Sequence, residues 1–244
     1  MQMEVIERKM KIGVIVPNIK MMEKQLEERR SFLLQYAQEE TKVVMVKLEE
    51  GPVSIESALE HEQAGYHIAK KVCELEAFGY HALITWCGED AGLTAAREVA
   101  KIPVVGPFQS SCSIAITLGH RFSIVGPMVQ KVFMERKVWE LGLGSRLASV
   151  RSLGIPVIDT RKDLKKTSAL LKKECEKIIK KDRADVIILS CMALFGLARS
   201  LMKELKTPVI DPALAALKTA EIYVSLGLGH SRTSYPFPHK SPFL

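Results

Sequence analysis

Two cysteines, Cys87 and Cys191, carry the chemistry that this chain most plainly offers, because each closes the same local pattern. In residues 82–105, ALITWCGEDAGLTAAREVAKIPVV, an apolar run ends on Cys87; in residues 186–210, VIILSCMALFGLARSLMKELKTPVI, another ends on Cys191. A Gly-Leu pair follows each thiol at the same distance, Gly92-Leu93 and Gly196-Leu197. A short amphipathic segment comes next, then a proline that opens a second apolar run, Pro103 and Pro208. The copies also close alike, on Pro107 and Pro212. One thiolate can remove a proton while a second thiol returns one, so a facing pair is a complete acid/base device. Lowering a thiol from its reference value to about 7 takes only about 2 kcal/mol, and a helix N-terminus beyond Gly92 is expected to supply much of it. Gly88 removes bulk beside Cys87, while Glu89 and Asp90 either oppose ionisation or cap a helix. The remaining cysteines, Cys73, Cys112 and Cys175, read as small core hydrophobes.

Strand, cysteine, helix, strand is the plan of both copies. It puts each thiol at the carboxyl end of a buried strand, where open α/β sheets take their ligands. The flanking segments extend the plan. An apolar strand over 12–16 stops at Pro17-Asn18, since proline cannot extend a central strand, so Asn18 either offers its amide to the same crevice or only shapes the turn. A helix over 23–38 and a strand over 42–47 follow. Gly51-Pro52 then turns into a long helix running to Phe78, with Ser54 as its N-cap and Ser57 and Glu60 in its opening turns. The strand at 104–105 leads into GPFQSSCS, read as a loop with a helix beginning at Ser111, so that Ser110 and Ser111 either bind an anion or cap. The second half repeats the order: a strand over 121–125 ending at Gly126-Pro127, a helix over 128–141, a strand over 147–150, a helix over 164–180 and a strand over 184–189 before Cys191. A last helix over 213–226 releases a tail, SRTSYPFPHKSPFL, whose three prolines predict an extended strap.

Composition excludes several classes. At 244 residues, 47% hydrophobic and 26% charged, the chain has a core for one large or two small domains. No apolar run nears the roughly 18 residues of a membrane span, and the start, MQMEVIERKM, lacks the order of a signal peptide; a cytoplasmic protein with no membrane partner is expected. Five cysteines without framework spacing fit reduced thiols. The net charge of +7 could point to nucleic acid, but Lys and Arg are spread in runs such as RKDLKK at 161–166 and KKECEKIIKK at 172–181. Those runs read as solvated helix faces, so no nucleic-acid partner is expected. Six scattered histidines, cysteines without CxxC partners and no phosphate-cradling glycine pattern predict neither a metal site nor a cofactor.

GPVSIE at 51–56, WCGEDAGL at 86–93, IPVVG at 102–106, GHRFSIV at 119–125, VRSLGIPVID at 150–159, ADVIILSCMAL at 184–194 and PVIDPALAALK at 208–218 carry a resemblance along nearly the whole chain. The chain resembles the aspartate/glutamate racemase superfamily, and within it most the hydantoin racemase branch. The resemblance implies an α/β protein of two flavodoxin-like, doubly wound parallel-sheet domains related by a pseudo-twofold axis, with the active site in the cleft between them. Residues 1–106 and 213–244 would form the first domain and 107–212 the second, with the helices after Pro107 and Pro212 crossing between them. Asp90, Gly92 and both cysteines match the family's pattern, whereas Gly88 and Glu89 replace an aromatic and a small residue, Ala91 a proline, and Gln109 an acidic residue. Met192 and Leu194 stand where small residues are usual, and Gly88 implies a differently shaped pocket.

Inverting a stereocentre that bears an acidic C–H needs a base on one face and an acid on the other, which Cys87 and Cys191 would supply without a cofactor. The enolate oxygen needs donors, and backbone N–H groups after the cysteines, Asn18, Ser110 and Ser111 are the candidates. Gly88, Gln109 and Met192 complete the expected substrate-binding set. The expected substrate is a small molecule, a 5-monosubstituted hydantoin or a related cyclic ureide such as allantoin, and the expected assembly is a homo-oligomer. A free amino-acid racemase of the aspartate/glutamate type would use the same thiols but needs groups for an α-carboxylate and an α-ammonium. A non-catalytic two-domain ligand-binding protein would leave the repeated cysteine without a reason.

Overall fold

Short runs rich in Val and Ile are buried on both faces only inside a parallel sheet, and that is where this chain puts them. The structure is a computed structural model and describes residues 10–240. The start inspected for a signal peptide, residues 1–9, and the end of the tail, 241–244, lie outside the described residues. Strands β1 (Met10–Val16), β2 (Thr41–Lys47), β3 (Ala82–Thr85) and β4 (Val104–Val105) form one sheet in the order β2-β1-β3-β4. Strands β5 (Phe122–Gly126), β6 (Leu147–Ser152), β7 (Val186–Leu189) and β8 (Val209–Ile210) form the other in the order β6-β5-β7-β8. Every pairing is parallel, with Val14 opposite Met45 and Ile84 in the first sheet and Ile124 opposite Val150 and Ile188 in the second. The order is flavodoxin-like in both, so each switch point falls between the strand that opens a half and the strand that precedes a cysteine.

Helices α1 (Glu23–Leu34), α2 (Ala58–Leu75), α3 (Leu93–Val99) and α4 (Pro107–Leu118) belong to the first half of the chain, and α5 (Lys131–Glu140), α6 (Leu164–Lys177), α7 (Ala198–Leu205) and α8 (Pro212–Ser225) to the second. Two of them exchange sheets. Ala213, Ala216, Leu217 and Ala220 of α8 pack with Ile12, Val14 and Ile84 of the first sheet. Phe108, Cys112 and Ala115 of α4 pack with Phe122, Ile124, Val186 and Ile188 of the second. The two crossing helices also pack on each other, which ties the halves together through apolar surface.

Helix starts differ from the sequence reading for identifiable reasons. Helix α2 is capped by Ser57, whose hydroxyl accepts from the Glu60 N–H, while the Glu60 carboxylate reaches back past the cap to the Glu56 N–H; Ser54 donates to Glu56 instead. Helix α4 begins at Pro107 and not at Ser111, because proline's fixed φ suits the first helical position. Its N-cap residue, Gly106, has no side chain to cap with, so Asp90 does so from the cysteine loop, accepting from the Phe108 and Gln109 N–H groups at 2.8 Å each. Helix α1 stops at Leu34, short of the expected end, and α6 passes into a π-helical turn at Ile178–Asp182. Cys112 and Cys175 are core residues, whereas Cys73 is only half-buried, because its neighbour Val72 takes the inward position. The tail does form a strap. Arg232 donates to the Arg97 and Ala100 carbonyls at the end of α3, Arg97 donates to the Tyr235 hydroxyl, and the Val104 N–H donates to His230 Nε2.

Candidate active site

Four strand ends converge on one cleft of about 410 Å³. Asn18 reaches it from the end of β1, Cys87 from β3, Pro127 from β5 and Cys191 from β7. That volume lies in the usual range of small-molecule sites, about 300–1,000 Å³. Met21, Ile55, Trp86, Met128, Val157 and Met192 are among its apolar lining residues, and Gln25, Glu28, Arg29, Glu89 and Arg161 among its polar and charged ones.

The two cysteine loops meet through their backbones. A Cβ on Gly88 would stand 1.8 Å from the Ser190 carbonyl oxygen and 3.0 Å from the Cys191 Cα. Gly88 lines the cleft, and its missing side chain is also required by this contact. Gly92 is required twice over: its φ of +66° is left-handed, and a Cβ there would stand 2.5 Å from the Gly65 Cα of α2. Each loop is tied to a crossing helix by one buried carboxylate, placed on opposite sides of the repeat. In the first half the loop supplies it, Asp90, and Gly106 leaves it room, since a Cβ at 106 would stand 2.4 Å from Asp90 Oδ2. In the second half the helix cap supplies it, Asp211, which accepts from the Gly196 N–H at 2.7 Å and the Ala213 N–H at 3.0 Å. Burial pushes both carboxyls up to about 6, against the pull of those amides.

Both thiols are pushed up to about 12, and burial is the main cause in each case. The Glu89 carboxylate raises both further. The backbone N–H groups of Ala91 and Glu89 work the other way on Cys87, and the Ala193 N–H, 3.4 Å from the Cys191 sulfur, together with the Arg29 charge, on Cys191. The expected pull from the helix end is therefore overcome, because α3 starts only at Leu93 while the thiol itself is desolvated. Glu89 is pushed up to about 7 by its own burial, with Lys137 opposing.

Of the residues expected at the site, Asn18, Cys87, Gly88, Cys191 and Met192 line the cleft together. Asn18 Nδ2 donates to the Val53 carbonyl at 3.0 Å, which leaves its second N–H for a ligand. Gln109, Ser110 and Ser111 do not line it. They lie inside α4, where the Ser111 hydroxyl donates to the Pro107 carbonyl and the Gln109 backbone N–H to Asp90. Among the described residues no group of three or more His, Cys, Asp or Glu is placed to hold a metal ion, and no helix is long and apolar enough to cross a membrane.

Two arginines escaped the sequence reading. Arg161 opens the run taken for a solvated face, yet it packs 3.9 Å from the Phe195 ring centroid, donates to the Ala193 and Phe195 carbonyls and pairs with Glu28. Arg29 sits among the charges of α1 but is 5% exposed, over Phe195 at 5.3 Å and Trp86 at 6.0 Å. Its i,i+3 relation to Leu26 and i,i+4 relation to Leu33, both buried, was the available signal.

Comparison with known proteins gives four relevant similarities. The family described as Asp/Glu/Hydantoin racemase matches residues 13–220. A hydantoin racemase of Pseudomonas sp. (strain NS671) is 34% identical over 96% of this chain and 94% of its own length. One of Rhizobium meliloti is 33% identical over 77% of this chain and 78% of its own length. Among solved structures, an allantoin racemase from Klebsiella pneumoniae superposes with a TM-score of 0.89 at 26% identity, covering 95% of each chain.

Proposed function

The chain belongs to the Asp/Glu/hydantoin racemase family, and from that premise we propose that it racemises 5-monosubstituted hydantoins or a closely related cyclic ureide such as allantoin, without a cofactor, using Cys87 and Cys191 as base and acid. The observation that carries this reading is the opening of both thiols on one cleft, on loops that touch at Gly88 and Ser190. The relatives of similar length that act on hydantoins and allantoin support the substrate class.

Burial makes each thiol reluctant to ionise, but a thiolate formed there is a correspondingly stronger base, suited to a weak carbon acid. One thiolate takes the proton from the stereocentre and the opposite thiol returns its own from the other face, so the pair exchanges roles with each turnover. The negative charge delocalised into the ring is met by the second N–H of Asn18 and by backbone amides of the cysteine loops. The same reading keeps residues 1–106 with 213–244 as one domain and 107–212 as the other, supported by the packing of α8 on the first sheet and α4 on the second.

A free amino-acid racemase is favoured by one observation, the charged groups Arg29, Arg161 and Glu89 in the same cleft. Polarimetry separates the two. Single enantiomers of several 5-monosubstituted hydantoins, allantoin, aspartate and glutamate are followed against an enzyme-free blank. Decay of rotation for a hydantoin or for allantoin, with aspartate and glutamate unchanged, is expected; decay for the amino acids alone would overturn the proposal.

A further inference from the structure

The guanidinium of Arg29 is the one charged group lining the cleft that is nine-tenths buried. Its Nη1 donates to the Gln25 carbonyl at 2.7 Å. Its Nε is fully buried with no acceptor, and its Nη2 makes no hydrogen bond either. The unused Nε–H and Nη2–H point the same way from one planar edge, the edge that a carboxylate fits with two parallel bonds.

The neighbouring charges leave that edge without a hydrogen-bonded counterion, although Glu28 acts on Arg29 through space. Lys20, Arg29 and Arg161 line the cleft against Glu28 and Glu89. Glu28 is taken by Arg161, which also spends its Nη1 on the Ala193 and Phe195 carbonyls. Glu89 has no ion pair; burial pushes it up to about 7, and Lys137 is the charge that acts on it. Arg29 is packed over the rings of Phe195 and Trp86, lines the same cleft as both cysteines, and lies near enough for its charge to act on the Cys191 thiol. A buried donor without an acceptor, such as this Nε–H, costs free energy that an anion placed there recovers.

We propose that Arg29 determines specificity by binding a carboxylate on the substituent of the substrate, so that the preferred substrates are hydantoins whose 5-substituent ends in a carboxylate. This rests on the hydantoin racemase reading for its ring chemistry, but the Arg29 contact is a binding property that can be measured without turnover.

The test compares 5-carboxymethylhydantoin with its carboxamide isostere, by calorimetric binding and by racemisation rate, in the wild type and in Arg29→Met and Arg29→Lys. A charge-assisted pair predicts that the wild type favours the carboxylate by about tenfold or more in Kd and in kcat/KM. In Arg29→Met that ratio falls close to one, and Arg29→Lys keeps part of it. Equal affinity of the wild type for the two ligands would overturn the proposal and needs no variant to be made. A ratio unchanged in Arg29→Met would also overturn it, because Arg29 would then only pack against the rings. If the carboxylate binds preferentially but no hydantoin is racemised, the Arg29 site stands and the racemase reading falls.

Discussion

Gly88 and Ser190 touch backbone to backbone, so closely that a methyl group on Gly88 would stand 1.8 Å from the Ser190 carbonyl oxygen. Each is the immediate neighbour of a cysteine, and the contact therefore holds the two cysteine loops against each other at the cleft.

Gly88→Ala is expected to separate the two loops. Displacing a reacting group by about 1 Å can cost about 10²-fold in rate, so kcat/KM should fall by about that factor. Circular dichroism should remain that of the folded protein, since both sheets are built elsewhere. An alanine variant with wild-type kcat/KM would mean that the contact does not set the thiol geometry.

Glu89 raises both thiols, and its effect is exerted where its own carboxyl is ionised, above about 7. Removing that charge in Glu89→Gln lowers the thiol values, so the acid limb of the pH profile of kcat/KM should move to lower pH. The limbs report the coupled pair of thiols and not either one alone. A limb that stays in place, or moves upward, would show that Glu89 does not act on the pair.

Asp90 is held at about 6 in the folded chain against an ordinary value of 3.8. A carboxyl raised on folding contributes stability that is present below the unfolded value and lost as pH rises through the folded one. Asp90→Asn keeps a side chain that tolerates the φ of 55° and removes this dependence. The melting temperature of the variant relative to the wild type should therefore climb between pH 4 and about 6. A constant difference across that window would place the titration elsewhere.

What the sequence made legible was the part that repeats. Apolar runs ending on Cys87 and Cys191 and the paired prolines are local signals, and the strands they mark form the two sheets. Contacts between the halves leave no such trace. Pro107 reads equally well as the end of a strand or the first residue of a helix, and the cap that decides between them, Asp90, comes from another loop; hence Gln109, Ser110 and Ser111 were expected to border the cleft and lie within α4. Arg161 was hidden for the same reason. A run of charges looks solvated until the Phe195 loop folds against it.

The central claim is that Cys87 and Cys191 stand on opposite faces of the substrate. Its most direct test replaces each by alanine in turn and follows solvent deuterium entering the stereocentre of each pure hydantoin enantiomer by NMR. Both variants should lose racemisation, and each should still exchange only the enantiomer whose proton points at the surviving thiol, so that Cys87→Ala and Cys191→Ala show opposite preferences. If both exchange the same enantiomer, or either racemises at the wild-type rate, the two thiols do not flank the substrate.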